Sequence, residues 1–278
     1  MKKIIIFSFG IFLLIISCSN NKKNTNNSSQ TTLKTDSLKQ VFCPIIGGVW
    51  VISDYIEEIK KTKSPQKSSN HLGFISAMVI YEKSDSVIIG VSLNNHEGFN
   101  FTAYFEQTQN KNSLKTNIPD YYNELNYYEL GYEKINDEIF LFLYHYDQTN
   151  KLLNKTKYTK IAKNQSDSDM AFGIQLIVNE LLFSGNYLII DTTNTEQKVV
   201  FQTDGSVNGL SNFKDFYILT DFATSPEICP DIVIFDLHKP TQKDFAFQLK
   251  KDAIYLYSII EKDDNMELDT LIYTLVKQ

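Results

Sequence analysis

The stretch "NNHEGF", residues 94–99, sets His96 beside Glu97 and brings Phe99 two residues later. An imidazole next to a carboxylate can orient a ligand or exchange a proton with it, provided the two side chains converge. The same letters also make a hairpin turn, in which Asn and Gly supply the unusual backbone angles and neighbouring side chains diverge. His145 lies in "IFLFLYHY", apolar on both faces, where a histidine is expected in a wall or core with its ring satisfied. His238 follows Asp236 by two residues and offers a second candidate carboxylate–imidazole pair. "EKDDNME", residues 261–267, offers Asp263, Asp264 and Glu267 as oxygen ligands, but not at the spacing of a known calcium loop, so it reads as a charged turn. The histidines show no metal-ligand spacing, and the cysteines form no CxxC pair. A nucleophile elbow, a phosphate loop and a dinucleotide glycine fingerprint are all missing. The expectation is a protein without catalytic activity, cofactor or metal.

The chain has three cysteines, Cys18, Cys43 and Cys229. Lys2 and Lys3 precede an apolar run from Ile4 to Ile16, too short to cross a bilayer, which takes roughly 20 apolar residues. It suits the core of a secretory signal. The run ends in Ile15-Ile16-Ser17-Cys18 and resembles a bacterial lipobox. That resemblance implies cleavage before Cys18, acylation of its sulfur and new amine, and anchoring by several acyl chains in a lipid bilayer. Residues 19–42 are dominated by Asn, Ser, Thr and Lys and are expected to be a disordered tether. The expected address is the cell envelope, most simply the outer membrane on its periplasmic side, with exposure at the cell surface the alternative. Cys43 and Cys229 would meet an oxidising compartment there, where a bond between them and two free thiols are both open.

With 27 Lys, no Arg and 33 acidic residues, the formal net charge is −6. An acidic body argues against nucleic acid, whose binding rests on basic patches. Lacking Arg, the chain also lacks the bidentate clamp for phosphate or carboxylate.

Stepping outward, the elements that must hold these residues are mostly strands. Period-two alternation marks strands near 48–53, 73–81, 86–94, 99–106, 126–133, 138–146 and 153–161, then near 185–192, 197–203, 213–221, 231–237, 244–250, 253–261 and 267–276. Phe99, Phe101 and Phe105 share one face of their strand; with Phe142 they are the candidates for lining an apolar cavity. Residues 107–124 read as the largest loop. Helices are expected just after residue 53, where Asp54, Glu57 and late lysines form a capped pattern, and over 168–182. The stretch "GGVWVISD", 47–54, is echoed 137 residues later by "SGNYLIID", 184–191, so that Gly48, Trp50, Ile52 and Asp54 align with Gly185, Tyr187, Ile189 and Asp191. The closing strands echo as well, at Tyr158-Thr159 and Tyr273-Thr274. Matched beginnings and matched ends point to one module stated twice.

A Gly-x-Trp opening an up-and-down antiparallel sheet resembles the lipocalin-like (calycin) barrels. The second half, with "VVFQTDGSVNGL", "FYILTDF" and "LIYTLVK", is similar to lipoproteins of that type from the Bacteroidota. The resemblance implies an all-β chain with minor helices, built as two antiparallel up-and-down lipocalin-like barrels in tandem. Trp50 would close one barrel end, with Tyr187 replacing it in the second copy. Without arginine, the chain lacks the basic residue such barrels usually set over the tryptophan, and seven strands per copy fall one short of eight. The domain plan is a signal at 1–18, the tether at 19–42, a first barrel at 43–162, linker and helix at 163–184, and a second barrel at 185–278. The expected function is a membrane-anchored, non-catalytic binding module for a small apolar ligand or an envelope component. The rival is a structural subunit with filled barrels that docks an envelope protein.

Overall fold

A computed structural model of the chain describes residues 25–93, 97–163, 172–193, 195–210, 212–222, 229–263 and 265–278. The first element departs from the expected tether. Helix α1, Thr25–Ile46, reaches well past residue 42. Leu38, Phe42 and Ile46 recur every four residues and so share one helix face. Phe42 and Ile46 are buried, and Leu38 packs against the same core. The polar composition of residues 19–40 conceals this short apolar seam, which needs the sheet beside it to become a helix.

Strand β1, Gly48–Ile52, follows at once. Gly48 has φ +121°, and a Cβ there would sit 2.5 Å from the carbonyl oxygen of Ala162, so only glycine fits. Helix α2, Ser53–Thr62, and the short α3, Pro65–Ser68, come next. Then a meander runs through β2 (Ala77–Glu82), β3 (Ser86–Leu93), β4 (Glu97–Gln107), β5 (Ser113–Thr116), β6 (Tyr127–Ile135), β7 (Glu138–Tyr146) and β8 (Leu152–Ala162). Each strand pairs with the next and β8 returns to β1, giving a closed eight-stranded antiparallel barrel, barrel A. The eighth strand is β5, four residues inside the stretch that reads as a loop.

Trp50 points into this barrel and is fully buried. Its Nε1–H donates to the Ile46 carbonyl at 2.7 Å, tying the end of α1 to the barrel interior. The Lys160 ammonium lies 4.7 Å from the centre of the Trp50 ring and donates to the Ile45 carbonyl at 2.9 Å. Lysine thus provides the basic residue over the tryptophan in a chain that has no arginine. A cation over an indole contributes about 0.5–2 kcal/mol, and here it joins helix, first strand and last strand at one point.

The second half begins with α4, Phe172–Leu182, then β9 (Gly185–Asp191), β10 (Glu196–Phe201), β11 (Val207–Asn208), β12 (Phe216–Ile218), β13 (Ile232–Phe235), β14 (Lys243–Lys250), β15 (Ala253–Lys262) and β16 (Asn265–Lys277). These form one eight-stranded antiparallel sheet, sheet B, ordered β11-β10-β9-β16-β15-β14-β13-β12. First and last strands pair as in barrel A. Among the described residues this sheet, unlike barrel A, is not closed. Its edges β11 and β12 hold only two and three residues. They approach at one end, through an isolated bridge between Ser206 and Asp215 and a bond from Phe216 N–H to the Gly205 carbonyl at 2.7 Å.

The echo between the halves is structural at its start. In both, a helix leads into a glycine of positive φ, +121° at Gly48 and +146° at Gly185, and then into a buried aromatic. At the end the sequence echo is out of step by two residues. Tyr158 lies across from Ile52, whereas the counterpart of Ile52, Ile189, faces Leu275 and not Tyr273. Strand register instead equates Lys160, opposite Trp50, with Lys277, opposite Tyr187.

One apolar cluster runs from Phe42 through the barrel and across α2 and α4 into sheet B at Phe201, Phe235 and Leu256. Helix α4 packs on the outer wall of barrel A, where a Cβ on Gly173 would stand 2.7 Å from Val49. Just past its end, the Phe183 ring meets Phe201, Phe216 and Phe247 at 5.1–5.6 Å between centres. Helix α4, inside the expected linker-and-helix segment, is therefore shared by both cores.

Candidate functional site

The strands of barrel A run between the end plugged by α1 and a distal end. Glu97 begins β4 at that distal end, across from Leu93, and is exposed. Its sequence neighbour His96 lies outside the described residues, as do Cys18 and Asp264. Phe99 is half-buried, 6.4 Å from the ring of Phe74, which is 58% exposed. Phe101 and Phe105 point inward and are buried among Met78, Ile89, Leu130 and Tyr158. These three phenylalanines thus share the interior face, as their alternation predicts.

Phe142 does not join them. Leu141 and Leu143 occupy the inner face of β7, so the period of two turns Phe142 outward. It is buried there by Tyr144 and by the Lys155 ammonium, 4.1 Å from its ring centre. A strand apolar on both faces cannot reveal from sequence which set looks inward. Cys43 and Cys229 are free thiols. Cys43 belongs to the end of α1, while Cys229 lies beside Pro230 and Asp231 ahead of β13, so the two do not meet. Trp50 and Tyr187 are both buried, Trp50 in the closed barrel and Tyr187 in sheet B.

The residues that do converge at the distal end are Asp120, Tyr128 and His145. Asp120 sits in the loop from β5 to β6 and is only 6% exposed. Its carboxylate accepts from Asn126 Nδ2 at 2.8 Å, Tyr122 N–H at 2.8 Å, Asn123 N–H at 3.2 Å and His145 Nε2 at 2.8 Å. The Asn126 amide and the Tyr122 N–H do most to hold its carboxyl down at about 2. The His145 ring lies flat on Tyr128, with 4.3 Å between centres and 8° between planes. This locks His145 and commits Asp120 to holding a loop, the satisfied arrangement expected of a wall histidine. Beyond the clamp, Tyr121, Tyr122 and Leu125 project at 77%, 102% and 61% exposure. The signal for Asp120 is present in "PDYYN", where an Asp after Pro opens a turn inside the long 107–124 loop.

The second carboxylate–imidazole pair does not form. Asp236 is buried, accepting from Thr241 Oγ1 at 2.6 Å and from the backbone of Lys214 at 2.9 Å. Burial opposes ionisation, yet these donors hold its carboxyl at about 2. His238 takes a positive φ of 63° in the following turn, with its N–H bonded to Gln242. Among the described residues, no group of three or more His, Cys, Asp or Glu could hold a metal ion. Compared with models of protein families and with curated proteins, the chain matches neither a family model nor a curated protein.

Proposed function

We propose that this chain is an exported lipoprotein of lipocalin-like build, anchored through an acylated Cys18 at the outer membrane, and a non-catalytic binding module for a small apolar ligand or an envelope component. Its ligand meets the distal end of barrel A. The observation that carries this reading is the loop 117–126: a buried carboxylate with four partners fixes its base, and two tyrosines and a leucine stand exposed beyond it. A loop ordered in advance spends little entropy on binding, and exposed aromatics supply contact area. The Lys160–Trp50 contact and the α1 plug support the calycin resemblance, and the approach of β11 to β12 supports an incomplete second barrel of the same plan. Native mass spectrometry of the membrane-extracted protein, with titration of a fluorescent fatty acid, tests the small-ligand form. Saturable binding weakened about tenfold by Tyr121→Ala with Tyr122→Ala is expected. Binding unaffected by that pair, or turnover of a bound molecule, overturns it. Loss of membrane association in Cys18→Ala tests the anchor separately.

The structural-subunit reading is favoured by a different observation. Barrel A carries Trp50, Met78, Phe101, Phe105, Leu130, Leu141 and Tyr158 inside, all at 5% exposure or less, and sheet B is lined by its phenylalanines. Absence of any co-purified small molecule together with a stable protein complex on extraction would select it.

A further inference from the structure

On the outer wall of barrel A, far from its interior, β4, β5 and β6 enclose a cleft of about 700 Å³ lined by Glu106, Gln107, Lys115, Tyr127, Glu129 and Asn150, among others. Glu129 is unusual for an outward-facing carboxylate in being only 5% exposed. Its Oε2 accepts from Ser113 Oγ at 2.5 Å, and Ser113 in turn shares a hydrogen bond with Thr108 Oγ1 at 2.7 Å. Glu129 nevertheless belongs to the lining of the cleft. Tyr127 is held by a bond from its hydroxyl to Asn150 Oδ1 at 2.6 Å. Its ring stacks on Tyr146, 5.4 Å away at 22°, and the stack continues through Tyr144 to Phe142. The outward aromatics of β7 thus form a ladder that ends at the cleft.

A ligand for this cleft must give hydrogen bonds to fixed acceptors and also offer a face to an aromatic ring. An anion meets Glu106 and Glu129 against Lys115 alone. A purely apolar molecule would cover the Glu129 carboxylate without pairing it, which is costly. A pyranose answers both demands: its axial C–H groups lie against a tyrosine and its equatorial hydroxyls donate to carboxylate and amide oxygens. We propose that this outer cleft binds an uncharged oligosaccharide, with Tyr127 as the platform and Glu129 as the central acceptor. The proposal rests on the reading of the chain as a binding module, but not on the distal end or on a lipid anchor.

The test uses the full chain in detergent, with cellohexaose and chitohexaose as neutral probes, hexagalacturonate as the anionic control and a hexalysine peptide as the cationic one. Saturable binding of at least one neutral hexasaccharide is expected, with hydroxyl-radical footprinting protecting Tyr127 in the unaltered protein. Glu129→Gln keeps the acceptor for Ser113 and is expected to weaken binding at least tenfold. Glu106→Gln, on the exposed rim, should weaken it about threefold without disturbing the fold. No neutral binding, protection elsewhere, or preference for galacturonate or hexalysine overturns the proposal. Failure here with fatty-acid binding at the distal end intact removes only the cleft assignment; the reverse result removes only the distal one.

Discussion

Barrel A and sheet B are eight-stranded meanders with the same entry and the same first-to-last pairing, yet among the described residues only barrel A is closed. The difference lies between the third and fourth strands. In barrel A, β3 and β4 pair over eight consecutive positions from Ser86–Tyr104 to Leu93–Glu97. In sheet B, the corresponding β11 and β12 are stubs, and the chain between them sends Leu210 and Phe213 into the core, where Phe213 packs 4.8 Å from Phe235. Closure therefore depends on one long hairpin. Where it is replaced by apolar side chains folded inward, the sheet keeps its core and gives up its seam.

The largest effects should come from the aromatic that begins each half. Trp50→Ala removes a fully buried side chain and is expected to cost about 4 kcal/mol in chemical denaturation. It should also raise amide exchange across Leu38–Ile46, because the Ile46 carbonyl loses its indole donor. Tyr187→Ala should cost about 3 kcal/mol and leave exchange in α1 unchanged. Equal exchange in α1 for both variants would break the distinction between plugged and unplugged ends.

The paired glycines sharpen the comparison further. Gly48→Ala meets the Ala162 carbonyl at 2.5 Å, whereas at Gly185 the nearest atom is the flexible Cε of Lys277 at 3.4 Å. Both positions strain an alanine, but we expect a loss of about 3 kcal/mol at Gly48 and about 1 kcal/mol at Gly185, read from denaturation midpoints. Next, Lys160→Met keeps the aliphatic stem over Trp50 and removes its charge and its bond to Ile45. A loss of about 1 kcal/mol is expected, with Lys277→Met in sheet B nearly neutral because Lys277 is exposed.

The smallest effects at neutral pH separate three aspartates. Asp120 in barrel A and Asp236 in sheet B have carboxyls held below the ordinary range, at about 2. Each contributes stability that is complete above the unfolded value near 4 and is lost as pH falls toward 2. Asp120→Asn and Asp236→Asn should each flatten the decline of melting temperature across that window. Asp231 behaves oppositely: burial raises its carboxyl, so its contribution is present at low pH and lost as pH rises through its folded value. Asp231→Asn can retain the 2.9 Å bond from Gln66 N–H and should raise the melting temperature at pH 7. A lowered melting temperature there would show that the carboxylate's charge is wanted between α3 and sheet B.

Much of this architecture is legible in the sequence because its strands alternate cleanly. Phe99, Phe101 and Phe105 declare their face, and Gly48 with Trp50 declares the start of the meander. The unreadable parts are those whose order comes from tertiary contact. Strand β5 is four residues with one buried aliphatic, Leu114, and acquires its identity only between β4 and β6. The α1 seam is likewise diluted by polar neighbours. The role of Asp120 has no signature in sequence because its partners, Asn126 and His145, come together only in the fold, and the direction of Phe142 is ambiguous in sequence because both faces of β7 are apolar.

The pairing of each first strand with its last has a consequence in time. Ser53 meets Thr159 across 106 residues, at 2.8 Å between their hydroxyls. At a synthesis rate of about 5–20 residues per second, the edge of β1 waits roughly 5 to 20 seconds for β8. Strand β9 waits in the same way for β16, where Lys277 pairs with Tyr187 and the Gln278 N–H bonds the Asn186 carbonyl at 2.9 Å. In each half, therefore, the first strand must hold an open edge until the last strand of its own sheet has been made.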